Sequence, residues 1–482
     1  MSSTPPRRRV GRVDATPTPP QTLAAKVWQS HVRSDASPAE RAPELLEVDR
    51  ILLHEHQVGL VGRAARSGLE VADPGRVVVC SDQQVPTIPS GDGPRPGAQL
   101  MATVDRLERT TDELGLPMFG PGDHRGGVLN VVTAEQGMVL PGDLVVGADG
   151  HVSTNGAFGA LALVISDAEV AQVVANGTVE REWPGSIRVS VPGSLAVGAS
   201  AKDLALWLLG RVGADTVAGR VLELGGPIVR LLSVEARMTL CNLAVESGAA
   251  AVVIAPDETT VAYLAGRPFA PTGPEWVVAT ERWSELASDP GACFDADLGL
   301  IAERVGPQAT WGTSIDQVAP LDATVPPPRS GVHRARDEQA LLDQDLAPGT
   351  AMSEVEVDQV FIGSCANARI EDLREAAAVA AGGRAQVPAW VVPGSWPVKR
   401  QAEAEGLHRV FLDAGFEWRD PGCSLCIGAN GDAVAPDIRL ASTANRPERG
   451  LVGPRGRVHL MSPASAVATA MVGCLSPSAD TR

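Results

Sequence analysis

The chain has 482 residues, 44% hydrophobic and 21% charged, with 50 Gly and 38 Pro. At roughly 150 residues per domain that is about three domains of loop-rich globular protein, which excludes both a small stapled scaffold and a chain disordered over most of its length. The formal net charge of −17 gives a surface that repels phosphate backbones and anionic lipid, so neither nucleic acid nor a membrane is expected as the main partner.

The first twenty residues carry charge and proline without the apolar stretch of a secretory signal and are expected to be a disordered leader. TLAAKVWQSHV and PELLEVDRILLHEH show helix-like or mixed apolar spacing, and GRVVVCSD then reads as a buried strand. MVLPGDLVVGADGHVSTNGAFGALALVI is a strand-like run, a Gly-rich turn, and small residues able to pack closely as a helix starts. KDLALWLLGRVG predicts a helix, AGRVLELGG a strand, MTLCNLAVESGA a helix and AAVVIAP a strand. This alternation is α/β grammar over 21–320. Residues 321–355, rich in Pro, Asp, Ala and Gly, are expected as a linker. From 356 to 482, VDQVFIG and VPAWVVPG predict strands, while ARIEDLREAAAVAAGG and VKRQAEAEGLHRVFLDAG predict one helix each. No apolar run of about 18 residues suggests a transmembrane helix.

Seven cysteines, at 80, 241, 293, 365, 423, 426 and 474, are odd in number and scattered, which fits a reducing, cytoplasmic setting better than a disulfide framework. The sharpest chemical signal is Gly363-Ser364-Cys365 at a strand-to-helix turn, together with Cys423-Ser424-Leu425-Cys426 after a Pro-Gly turn. On these residues alone, ordinary buried cysteines and metal ligands both remain open. Three ligands is the informative number. A structural zinc site usually closes with four protein ligands, whereas a [4Fe-4S] cluster held by three thiolates leaves one iron free to take water or substrate.

GSCANARIEDLREAA, AGFEWRDPGCSLCIGANGD and ASTANRPERGLVGPRGRVHLMSPASA resemble, in matching order, segments of the aconitase superfamily, most closely the large subunit of 3-isopropylmalate dehydratase. So do LLEVDRILLHEH, AEQGMVLPGDLVVGADGHVSTNGAFGALA, RMTLCNLAVESGA and IAPDETTVAY, and the resemblance runs from about residue 22 to 473. It implies three α/β/α domains around a [4Fe-4S] cluster, and an activity that dehydrates and rehydrates a hydroxy di- or tricarboxylate. Cys365, Cys423 and Cys426 match the cluster ligands; Cys80, Cys241, Cys293 and Cys474 fall outside the pattern and are expected to pack as small apolar residues.

The resemblance also supplies catalytic positions. His151 and Glu223 match the pair that handles the iron-bound water or hydroxide. Asp82 matches a further acid, but Gln83 stands where relatives have a histidine, and glutamine cannot shuttle a proton near neutral pH. Asp149 matches another, with Asn130 in place of its histidine. Asn445 and Arg446 match the start of a carboxylate-binding stretch whose second arginine falls on Leu451, with Arg449 and Arg455 close enough in sequence to substitute. Val58-Gly59-Leu60 replaces a Ser-Pro-Gln of relatives, and Gly150 replaces a serine. These changes imply an altered substrate or altered activity.

No segment matches the swivelling domain that carries the catalytic serine in relatives, so a small subunit is expected to complete the site. The competing expectations are a non-catalytic iron–sulfur sensing or binding protein, against which the net charge argues where RNA is concerned, and a catalytically decayed paralogue.

Overall fold

The structure, a computed structural model, describes residues 19–33, 43–89, 98–300, 304–428 and 430–478. All of the expected leader except residues 19 and 20 lies outside that range. Three parallel sheets with helices packed against them form the core, so the expected α/β class is the one found.

The first sheet contains β1 (Arg50–Leu53), β2 (Val77–Cys80), β3 (Met118–Phe119), β4 (Leu144–Gly147) and β5 (Leu161–Val164), in the order β3-β2-β1-β4-β5. The second contains β6 (Ser186–Ser190), β7 (Val221–Gly225), β8 (Ala251–Val253) and β9 (Ala296–Gly299), in the order β8-β7-β6-β9. The third contains β10 (Gln359–Ile362), β11 (Ala389–Val391), β12 (Glu417–Trp418), β13 (Arg439–Ser442) and β14 (Arg457–Leu460), in the order β12-β11-β10-β13-β14. Strands such as Val-Val-Val-Cys in β2 are buried along their whole length, as parallel strands covered on both faces are.

In the first and third sheets the strand order reverses beside the earliest strand, between β1 and β4 and between β10 and β13. At such a switch point the loops leaving the strand ends diverge and open a crevice, the usual ligand position in open α/β sheets. The two switch points meet. Backbone hydrogen bonds from Cys423 N to Asp82 O (3.0 Å), Asp420 N to Thr87 O (2.7 Å) and Val128 N to Gly394 O (2.8 Å) join the loops of one sheet to those of the other.

Three expectations about elements are corrected. PELLEVDRILLHEH holds two strands, Glu44–Glu47 and β1, before the helix Glu55–Arg66, because its apolar pairs bury into a sheet instead of lining one helical face. VKRQAEAEGLHRVFLDAG forms two helices, Trp396–Ala404 and Leu407–Asp413, divided at Gly406, whose φ of 80° no continuous helix allows. The expected linker carries the helix Arg334–Gln344, which buries Ala340 and Leu341 and is tied down by Arg329 bridging Asp316 and Asp337.

Candidate active site

The strand ends around the two switch points contribute one or two site residues each. His54 follows β1, Asp82 follows β2, and Asp149 and His151 follow β4; Cys365 follows β10, Cys423 and Cys426 follow β12, and Asn445 and Arg446 follow β13. The sequence-predicted residues other than Glu223 therefore converge.

The three cysteines are buried side by side against Val128 and Val131, and none of them forms a disulfide. Their loops are firmly built. Ser364 turns the chain at a φ of 82°, Arg369 is buried with Nη1 donating to Cys365 O at 2.8 Å, and Ser424 Oγ donates to Asp432 Oδ2 at 2.8 Å. The helix after Cys365 starts only at Ile370, so a helix dipole acting directly on that thiol is not what the structure supplies. Polar donors surround the sulfurs instead: Asn242 Nδ2 and Asn445 Nδ2 each reach Cys365 Sγ at 3.2 Å, and Ser364 Oγ reaches Cys426 Sγ at 3.2 Å. Cys423 Sγ lies 3.8 Å from Asp82 Oδ2. The neighbouring Cys426 and burial both hold the Cys365 thiol above its ordinary range, so a bound cation is what would make these sulfurs thiolates. Three adjacent sulfurs, hydrogen-bond donors aimed at them and apolar walls fit an iron–sulfur cluster.

Beside the thiols runs a line of alternating acids and imidazoles. His54 Nδ1 donates to Asp82 Oδ1 at 2.7 Å, and Asp82 Oδ2 accepts the Leu129 N–H at 3.0 Å. His54 Nε2 lies 3.7 Å from Asp149 Oδ2, whose other oxygen is 3.0 Å from His151 Nδ1. His151 Nε2 donates to Glu246 Oε1 at 2.7 Å, and the same oxygen accepts Arg446 Nε at 3.1 Å. Burial opposes charge on both imidazoles, yet Asp82 and Asp149 push His54 up to about 9, and Asp149 and Glu246 hold His151 well above its ordinary value. Burial likewise opposes the charge on Asp149, but His151 and His54 hold its carboxyl well below the usual range.

Several expectations about individual residues change. Glu223 is not the partner of His151: it sits within β7 and accepts the Ser288 hydroxyl at 2.7 and 2.8 Å, while Glu246 takes the imidazole. Asn445, expected at the start of a substrate-binding stretch, is fully buried with its side-chain amide on the Cys365 and Cys426 sulfurs. Neither Arg449 nor Arg455 replaces the arginine missing at Leu451, since Arg449 pairs with Asp343 and Arg455 with Asp437. Asn130 accepts from Asn155 at 3.3 Å as part of a buried amide network. Gly150 faces open space, with nothing within 4 Å of an added Cβ, so no packing demand explains the loss of a serine there. Cys80 and Cys241 are core residues as expected, whereas Cys474 is only half-buried and Cys293 is exposed.

Sequence reasoning missed His54, Glu246, Asn242 and Lys202. All four lie in segments whose secondary structure or resemblance is legible, LLHEH, MTLCNLAVESGA and KDLALWLLGRVG, but nothing local marks them as site residues. Lys202 is fully buried, donates to Thr443 O at 2.9 Å and also to Ala444 O, and is pushed down to about 7 by burial. It braces the loop that presents Asn445 and Arg446.

A model of the aconitase family (aconitate hydratase) matches residues 25–473, nearly the whole chain. The chain belongs to the aconitase family. Membership carries a hydro-lyase-type function and the iron–sulfur chemistry characteristic of aconitase-family proteins. Among solved structures, the crystal structure of Thermococcus kodakaraensis aconitase X in its holo-form is similar over 83% of this chain and 84% of its own, at 12% identity and a TM-score of 0.44. No helix among the described residues is long and apolar enough to cross a membrane.

Proposed function

We propose that this aconitase-family chain is the large subunit of a [4Fe-4S] hydro-lyase of the 3-isopropylmalate dehydratase type, acting in the cytoplasm on a hydroxy di- or tricarboxylate that differs from the usual substrate. The observation that carries the reading is the convergence of Cys365, Cys423 and Cys426 beside the line from Asp82 to Glu246. When bound to the three thiolates, the cluster would supply a Lewis-acidic iron with a free coordination position. The chain's own groups supply proton handling and charge. His151, held between Asp149 and Glu246, keeps its ring orientation and stays cationic, as an acid for a leaving hydroxyl requires.

Arg446 gives its Nε to Glu246 and is one-third exposed, which leaves its fork for a substrate carboxylate. A dicarboxylate needs a second cation, and Arg449 and Arg455 are paired elsewhere. That shortfall supports a small swivelling-domain subunit that brings the missing cation and closes the crevice. Nucleic acid remains an unsuitable partner for a chain of net charge −17, and a set of free thiols is suited to a reducing compartment.

The test is anaerobic reconstitution and reduction of the chain, followed by EPR with and without 3-isopropylmalate, citrate, homocitrate and methylated malates. A signal shifted by one acid supports direct ligation at an open iron and gives the substrate class. A normal cluster signal indifferent to every acid, with and without a small subunit, would instead favour a sensing role or a decayed paralogue.

A further inference from the structure

Only three of the 41 lysine and arginine residues are lysines, at 26, 202 and 399. Two of them have a carboxylate for a partner: Lys26 pairs with Asp289 at 2.7 Å, and Lys399 with Asp420. Lys202, in the first turn of the helix Ala201–Val212, is fully buried and gives its ammonium to two neutral carbonyls, Thr443 O at 2.9 Å and Ala444 O. The acids nearest to it are engaged elsewhere. Asp203, on its own helix, accepts Ser200 N and Gln308 N at 2.8 Å each, while Asp372, on the helix Ile370–Ala380, accepts Asn367 Nδ2 at 2.8 Å and Arg369 N at 3.0 Å. The other ionisable groups that face Lys202 are the Cys365 and Cys426 thiols.

We propose that Lys202 is the counter-charge of the three-thiol site, its ammonium offsetting the negative charge that Cys365, Cys423 and Cys426 acquire when they bind a metal or cluster. The proposal rests on the reading of those cysteines as ligands, and it makes Lys202 a positioning residue that touches no substrate.

The charge arithmetic supports it. A divalent ion, or an oxidised cluster core of the same charge, does not balance three thiolates, and one negative charge is left over in a buried site. An ammonium held close by is the natural complement. The placement of Lys202 supports it as well. It grips residues 443 and 444, next to Asn445, whose Nδ2 lies 3.2 Å from Cys365 Sγ, and Thr443 Oγ1 in turn accepts Gly363 N at 2.9 Å. The cation is therefore fastened to the two turns that carry the sulfurs and their donors, and it stays there when the thiols are neutral. In that state burial without an anion disfavours the charged form and pushes Lys202 down to about 7. Metal binding to the three thiols releases their protons, and the leftover negative charge then holds a proton on Lys202.

The test uses the full chain, reduced, anaerobic and free of cluster, with ¹³C,¹⁵N-labelled lysine. Three lysines give three side-chain NMR signals, and Lys26→Arg and Lys399→Arg assign Lys202 by elimination. Cd²⁺ is the probe, because it binds thiolates without sulfide or cluster assembly. The expected result is a Lys202 midpoint near neutral pH in the metal-free chain that rises by at least one pH unit, about tenfold in its constant, on loading with Cd²⁺. Cys423→Ser, which removes one ligand, should abolish the rise. A midpoint indifferent to Cd²⁺, or three thiols that bind none, overturns the proposal. By linkage, Lys202→Met should weaken Cd²⁺ binding about fivefold or more at pH 7 in competition with a chelator, and unchanged affinity would overturn it too. Should that variant not fold, the lysine signal decides. A chain that binds Cd²⁺ but assembles no cluster counts against the function reading and leaves this result standing. Where the cluster forms, Lys202→Met should move its reduction to a more negative potential, since the added electron then meets no cation, and an unmoved potential contradicts the assignment.

Discussion

Glu223 and Glu246 are both acids in segments that match the family, and only their surroundings separate them. Glu223 belongs to a strand and meets a serine hydroxyl; Glu246 sits in the short turn after the helix Val234–Ala244, where the chain reverses and aims the carboxylate at His151. The consequence is a difference between two isosteric changes. In reconstituted enzyme Glu246→Gln should cut turnover by about 10² to 10⁴, whereas Glu223→Gln should leave it within about threefold; equal losses from the two would refute the assignment. His54 makes a second prediction at this scale. Its pKa is raised from 6.5 to about 9, so its contribution to stability is fully present below pH 6.5 and is gone once pH passes about 9. On the order of 3 kcal/mol is at stake. Thermal melts of the cluster-free chain should show wild type losing its advantage over His54→Gln between those pH values, and parallel curves would contradict it.

At the scale of elements, the turn Gly150–Phe158 sets where His151 stands. It wedges between β4 and β8, and it is closed by Ile254 N donating to Gly156 O at 2.9 Å. The fit leaves no room: a Cβ on Gly156 would lie 1.7 Å from Val252 O, a backbone atom that cannot rotate away. Gly156→Ala should therefore destabilise the protein by about 3 kcal/mol or more, read as a lowered urea midpoint, and a neutral effect would show that the turn is not held as described. Local sequence made the buried strands legible, because β-branched runs have few other uses, whereas the cysteine loops became legible only through the flanking segments that resemble the family. It did not reveal that LLHEH ends a strand, or that Gly406 splits a helix, since both depend on what packs alongside. The partner of His151 was illegible for the same reason. Two acids fit the motif, and tertiary approach alone selects one.

For the whole molecule, the organising fact is that two parallel sheets meet at their switch points, so residues from distant parts of the chain share one crevice. The acid–base line comes from β1, β2 and β4, and the thiols from β10 and β12, with Asn242 and Asn445 linking the two groups. That arrangement gives a substrate one face that handles protons and another that can hold iron. The central claim is that the three thiols hold an open iron–sulfur cluster. The most direct measurement is iron and acid-labile sulfide content after anaerobic reconstitution, in wild type and in Cys365→Ser, Cys423→Ser and Cys426→Ser, with Cys241→Ser as a control in the core. About four iron and four sulfide per chain in wild type and the control, with loss in each of the other three, is the predicted result. Sulfide-free metal in wild type, or a cluster that survives the three substitutions, would contradict it.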